Sequence, residues 1–238
     1  MIQDEGMLGG RKAGRFIVAI DGPAGAGKST VAKRLAQELG YKYLDTGAMY
    51  RAFAWKVVQA GIDSSDEVGL ERILEGIEVE LVEEGGCLRV HLNGRDVTDE
   101  IRSPELSQMA SKVSGLEVVR DRMVRIQRAM GLGSGVVAEG RDIGTVVFPE
   151  ADVKIYLDAS PQERARRRFQ ELQGQQGEMT MEGTLGEMVE RDRRDKERTV
   201  APLCKAEDAI VIDSTSIGVD AVVRRIMREI KKKMAEIH

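Results

Sequence analysis

The residues best suited to chemistry in this chain run from Gly22 to Thr30: Gly-Pro-Ala-Gly-Ala-Gly-Lys-Ser-Thr. Gly22, Gly27, Lys28 and Ser29 keep the spacing of a phosphate-binding loop, G-x-x-x-x-G-K-[ST]. Glycines there let successive backbone N–H groups close around phosphate oxygens. The start of a following helix adds the positive end of its dipole. Lys28 has the reach for the β- and γ-phosphates, and the Ser29 hydroxyl suits Mg²⁺. The whole loop, Gly22, Pro23, Ala24, Gly25, Ala26, Gly27, Lys28, Ser29 and Thr30, is expected to cradle a nucleoside triphosphate. Other chemistries have little to work with. The two histidines are His91, in an alternating strand, and His238, the last residue, so a Ser-His-Asp or Cys-His mechanism is not expected. Cys87 and Cys204 are too far apart in sequence for a metal-ligand pair.

A phosphate loop works only between a strand and a helix, and both are present. Phe16–Asp21 is an apolar strand, and Lys28–Leu39 is an amphipathic helix with Gly40 at its end. Tyr41–Asp45 is a second strand, after which Thr46 can cap a helix from Gly47 to about Ala60. Ser64–Glu67 offers a capping box for a helix to about Glu75. Ile77, Val79 and Leu81, then Leu88, Val90 and Leu92, alternate with polar residues, and Asn93-Gly94 is a tight-turn signal. This small antiparallel meander interrupts a βα pattern and reads as an insertion. Helices are expected from Ser103-Pro104 and from Leu116 to Met130. Strand and helix then alternate again. Val136–Glu139 is a strand, residues 140–144 a loop, Val153–Asp158 a strand, and Ser160-Pro161 opens an arginine-rich helix to about Leu172. Residues 174–183 read as a mobile loop, Thr184 as the cap of a helix to about Lys196, Ala209–Asp213 as the last strand and 218–235 as the last helix. Five apolar strands beside helices imply an α/β fold, a parallel sheet covered on both faces. Ligands of such sheets bind at the carboxyl ends of the strands, where Asp45, Glu139, Arg141, Asp142 and Asp158 fall.

Composition narrows the class. A chain of 238 residues is long enough for one sizeable core carrying inserted lobes. Its formal net charge of −4 gives no general pull toward nucleic acid, and no apolar run approaches a membrane span. Residues 1–14 are glycine-rich, carry acids and lack an apolar segment, so they read as a flexible tail and not a secretory signal. A reducing, cytoplasmic setting is expected from the cysteine usage.

Three further stretches join the phosphate loop: Leu44-Asp-Thr-Gly-Ala-Met-Tyr-Arg51, Gly140-Arg-Asp-Ile-Gly-Thr-Val-Val-Phe-Pro149, and Glu190–Arg198 followed by Ala201-Pro-Leu. In this order, and with the inserted meander, they closely resemble the bacterial cytidylate kinases, which are P-loop nucleoside monophosphate kinases. The resemblance covers about residues 15–235. It implies transfer of the γ-phosphoryl of ATP to CMP or dCMP, with Mg²⁺ as cofactor and Ser29 as its best protein ligand. It also implies a P-loop kinase core with a five-stranded parallel sheet, an inserted β/α lobe for the monophosphate, and a mobile lid. The boundaries expected are 1–14 for the tail, 15–62 for the first part of the core, 63–134 for the lobe and 135–238 for the rest, with the lid at about 165–190. A monomer is expected, with no stable nucleic-acid partner and no membrane.

The residue chemistry agrees, because phosphoryl transfer asks for positive charge and alignment more than for a proton shuttle. By resemblance, Lys28, Arg141 and Arg198 are catalytic, Arg51 and Arg141 grip the acceptor phosphate, and Arg191 and Asp195 hold the ribose. Arg198 faces the nucleotide near phosphate and base, Asp142 takes the cytosine N4 donor, and Ser111 and Arg120 donate to the ring's acceptors; Thr46 joins the same set. Asp142 is expected to stay ionised beside Arg141. Arg191, Asp195 and Arg198 share one helix face, although interleaved Arg and Asp equally suit a solvated helix. Arg164 and Arg168 share a face and suit the lid, and Glu139 could act on the metal through water. The competing readings are a small P-loop kinase for UMP, AMP, shikimate or a sugar acid, and a nucleic-acid-remodelling ATPase.

Overall fold

The structure, a computed structural model, describes residues 16–173 and 180–237. The proposed tail therefore lies outside the described residues, as does most of the 174–183 loop. Strands β1 (Ile17–Asp21), β2 (Lys42–Asp45), β6 (Val136–Gly140), β7 (Val153–Asp158) and β8 (Ile210–Asp213) form one parallel sheet in the order β2-β6-β1-β7-β8. β1 lies in the middle, in register with β6 (Asp21 opposite Gly140) and β7 (Asp21 opposite Tyr156). The chain crosses from one side of β1 to the other after β6, so the crevice for a ligand opens at the carboxyl ends of β1 and β6. Among the described residues no helix is long and apolar enough to cross a membrane.

Burial on both faces explains the apolar runs in these strands. On one face α1 (Lys28–Leu39) and α8 (Val219–Ile237) pack Val31, Leu35, Val222 and Ile226 against Val18, Ile20, Ile155 and Ile212. On the other lie α2 (Thr46–Gln59), α3 (Glu67–Glu75), α4 (Pro104–Val113) and α5 (Glu117–Met130). Their buried residues, Phe53, Leu70, Val113 and Met123 among them, join Ala19, Val136 and Ala138 of the sheet in a single cluster. The three-stranded antiparallel sheet of β3 (Val79–Glu84), β4 (Cys87–Leu92) and β5 (Arg95–Asp96) closes this side, adding Val79, Val90 and Leu92 to that cluster.

Several helix starts differ from the sequence reading, each because a nearer carboxylate or hydroxyl takes the cap. Asp45, not Thr46, caps α2: its extended backbone lets Oδ1 accept from the Ala48 N–H at 2.7 Å. The Thr46 hydroxyl instead donates to the Glu139 carbonyl at 2.7 Å. Asp66 caps α3 through the Gly69 N–H, while Ser65 bonds Asp63. Thr180 caps α7 (Met181–Glu197) by accepting from the Gly183 N–H at 3.0 Å, so that helix starts before Thr184. Of residues 140–144, Arg141 and Asp142 are irregular, but Gly140 ends β6 and Ile143 opens a π-helical turn, Ile143–Val147, in which the Asp142 carbonyl accepts from Val146 and Val147. Helix α6 (Pro161–Leu172) is capped by Ser160, as its sequence suggests.

Candidate active site

The phosphate loop turns out of β1 at Gly22, where φ is +149° and an added Cβ would lie 2.0 Å from the Leu157 carbonyl oxygen. Only glycine lets the loop leave the sheet so close to β7. Two arginines of α6, one of them the Arg164 that the sequence suggests for a lid, brace the loop. Arg164 is buried, donates to the carbonyls of Ala159 and Ala24, and pairs with Asp192 of α7 at 2.6 Å. Arg167 donates to the Ala26 carbonyl and to Ser214 after β8. Arg164 and Arg168 therefore do not act together: Arg168 faces the cavity beside Glu171, while Arg164 is structural. Sequence periodicity could not separate them, because both lie on one helix face.

Lys28 is buried and donates to the Pro23 carbonyl at 2.7 Å. Burial, reinforced by Arg141 and Arg191, lowers its pKa to about 7. Glu139, at the end of β6, is buried beside it; burial and Asp45 raise its pKa, while Lys28 and the hydroxyls of Ser29 and Tyr43 hold it toward the charged form. Tyr43 donates to Glu139 at 2.8 Å, a contact that alternation in β2 did not flag as functional.

All the residues expected to hold an acceptor line one cavity of about 210 Å³ above Ala24, Gly25 and Gly27–Thr30. Thr46 and Arg51 come from α2, Ser111 from α4, Arg120 from α5, Arg141 and Asp142 from the turn after β6, and Arg191, Asp195 and Arg198 from the end of α7. Gly22, Pro23 and Ala26 of the loop do not line the cavity. Tyr50, one helical turn from Thr46, also lines the cavity and was missed; burial pushes its hydroxyl up to about 12.

The carboxylates are distributed between the guanidinium groups differently from the sequence reading. Arg141 pairs with Asp195 at 2.9 Å, and Ser111 donates to the other oxygen of Asp195 at 3.1 Å. Burial would raise the Asp195 pKa, but Arg141 and Arg191 outweigh it and the net shift is downward. Asp142 makes no ion pair with its neighbour Arg141. It bonds Arg120, has Arg198 at 3.9 Å, and its pKa is raised because burial exceeds what the arginines return. Arg198 is fixed by donating from Nε to the carbonyl of Ala201, a residue held at φ +47°. Two buried donors in this cluster, Arg191 Nε and Arg198 Nη2, have no hydrogen-bond partner among the described residues. Arg191 has its pKa lowered to about 10, first by burial and then by Arg141. Unpaired buried N–H groups and crowded like charges are what a bound polyanion would relieve.

A parallel sheet with a glycine-rich loop at β1, a buried lysine and converging arginines defines a P-loop phosphotransferase. The fold has counterparts among solved structures: an uncharacterized protein from Eubacterium ventriosum superposes with a TM-score of 0.51 at 14% identity, covering 91% of this chain and 99% of the other. Residues 18–232 match the family model described as cytidylate kinase. A cytidylate kinase from Geobacter sp. strain M21 is 48% identical over 220 residues, 92% of this chain and 94% of the relative. One from Pelotomaculum thermopropionicum is 51% identical over 214 residues, 90% and 95% of the two chains. The chain belongs to the cytidylate kinase family, and is an ATP-dependent phosphotransferase acting on CMP and dCMP.

Proposed function

We propose that the cavity holds CMP or dCMP with its phosphate toward Arg51, Arg141 and Arg191, while Gly22–Thr30 and Lys28 hold the β- and γ-phosphates of ATP. The observation that carries this reading is a set of buried donors without hydrogen bonds, Arg191 Nε, Arg198 Nη2 and the Tyr50 hydroxyl, in a cavity that reaches from the phosphate loop to Asp142. A second cavity runs from Gly25–Gly27 past Arg167 to Ser214–Gly218 and is where the donor base would extend. In-line attack by an acceptor phosphate oxygen on the γ-phosphorus needs the two phosphates aligned and their charge balanced. Lys28, Arg141 and Arg198 supply that charge from fixed positions, so little reorganisation accompanies transfer.

Specificity follows from hydrogen-bond polarity at the other end. Cytosine offers an N4 donor where uracil has an acceptor. Asp142 accepts that donor, Arg120 and Ser111 donate to the ring, and Asp195 with Arg191 receives the ribose. A pyrimidine that leaves such buried groups unpaired is rejected by roughly 10⁴-fold at best. For the metal, the exposed Ser29 hydroxyl beside Glu139 suits Mg²⁺, which takes one or two protein ligands and keeps its waters. No group of three or more His, Cys, Asp and Glu able to cage a metal exists among the described residues. Ser29 would hold the ion directly and Glu139 would accept from its waters; when bound, the ion would supply neutralising charge for the transfer. The free, exposed Cys87 and Cys204 suit a reducing cytoplasm.

The test is ADP release with a panel of acceptors. CMP and dCMP should exceed UMP and AMP by at least about a hundredfold in kcat/KM. Equal turnover with UMP or AMP would overturn the assigned base pocket.

A further inference from the structure

Asp21 is buried at the end of β1, one residue before the phosphate loop, and has no direct part in the reading above. Its two carboxylate oxygens are both engaged. Oδ1 accepts from the Ile143 N–H at 2.8 Å and Oδ2 from the Gly144 N–H at 2.7 Å. Those are the first two amides after Asp142, and they open the π-helical turn whose far end is closed by the Asp142 carbonyl. A single side chain thus joins the strand that launches the donor loop to the segment that carries the base-reading carboxylate. We infer that Asp21 is a positioning residue for acceptor recognition, setting the height of Asp142 above the phosphate loop through these two amides; this rests on Asp142 reading the base.

The environment supports a strut more than a proton carrier. Burial pushes the Asp21 carboxyl up to about 6, against the two amides and Lys28, so it is charged at neutral pH and accepts at both oxygens. The other groups facing it are Asp142 from the turn and Tyr156 from β7. The register leaves no slack, since Asp21 lies opposite Gly140 on β6 and Tyr156 on β7. A carboxamide in its place would turn one N–H toward an N–H and release one end of the turn.

Asp21→Asn, Asp21→Glu and Asp142→Ala should be assayed together for CMP and UMP kinetics and for ATP affinity by titration calorimetry. Positioning predicts that Asp21→Asn raises the KM for CMP by about tenfold or more and lowers the CMP-over-UMP preference by a similar factor, because small misplacements of a recognition group are costly. ATP affinity should stay within about twofold of the parent protein. Asp21→Glu keeps the charge but lengthens the arm, and should show the same pattern at about threefold. Unchanged CMP kinetics in Asp21→Asn, or equal losses for ATP and CMP, would overturn the inference. If Asp21→Asn does not fold, the glutamate variant decides: normal CMP kinetics there would likewise overturn it. Normal CMP kinetics in Asp142→Ala would instead remove the base reading on which the inference rests.

Discussion

At the residue scale the site is a crowd of cations held apart by too few carboxylates. Arg120 and Arg141 each hydrogen-bond one, Asp142 and Asp195, whereas Arg191 Nε and Arg198 Nη2 are buried without a hydrogen bond. Lys28 responds to this crowding: its pKa of about 7 means that much of it is neutral near pH 7. Triphosphate placed against it favours the ammonium and raises that pKa. ATP binding should therefore take up close to one proton at pH 8, about half at pH 7 and little at pH 6, by linkage between binding and protonation. Calorimetry in buffers of different ionisation enthalpy reads this directly. Equal heats in all buffers at pH 8 would show that Lys28 is already charged in the free protein. The types and spacing of these residues were legible in the sequence, but their pairings were not. Asp142 stands next to Arg141 in the chain and bonds Arg120 from α5 instead, because the turn after β6 and the packing of α5 bring that guanidinium to its carboxylate.

At the element scale, precision comes from turns that only glycine or a strained residue can make. Gly22 lets the phosphate loop pass β7, and Ala201 at φ +47° aims its carbonyl at Arg198. The opposite end of the sheet offers a control. At Gly135 a Cβ would lie 2.5 Å from the Tyr41 ring, and neither residue lines the active-site cavity. Gly135→Ala should lower stability by about 1–3 kcal/mol through overpacking while leaving kcat and KM within about twofold. Urea denaturation with parallel kinetics checks it; a large kinetic change with unaltered stability would contradict the separation of the two ends. The alternating meander, the glycine-stopped α1 and the proline-initiated α4 and α6 were all legible, since their signals are local. The caps at Asp45, Asp66 and Thr180 were shifted by one to four residues, because several oxygen-bearing side chains compete within each turn and backbone geometry chooses.

At the scale of the whole molecule, residues 63–134 are not an independent body in their packing. Leu70, Val90, Val113 and Met123 share one cluster with Phe53 of α2 and Ala19, Val136 and Ala138 of the central sheet. We expect lobe and core to unfold together. Trp55, the single tryptophan, borders this cluster on α2 and reports on it. Its fluorescence and far-UV circular dichroism should give coincident urea transitions, as two-state unfolding requires. Two separated midpoints, with the fluorescence change first, would mean that the lobe melts alone.

The sequence by itself determined the family, the parallel sheet, the phosphate loop and nearly every charged residue of the cavity, because those rest on local periodicity and on motifs that survive in linear order. Only the tertiary structure decided which arginine serves a ligand and which serves the fold. Arg164 and Arg168 look alike in sequence, yet one clamps Ala24 and Asp192 while the other lines the cavity. Likewise Asp21 reads as the last residue of an apolar strand until Ile143 and Gly144, more than a hundred positions away, present their amides to it. Which partner a charge or a backbone N–H finds depends on distances across the sheet. Those are set by packing and register, which linear spacing does not contain.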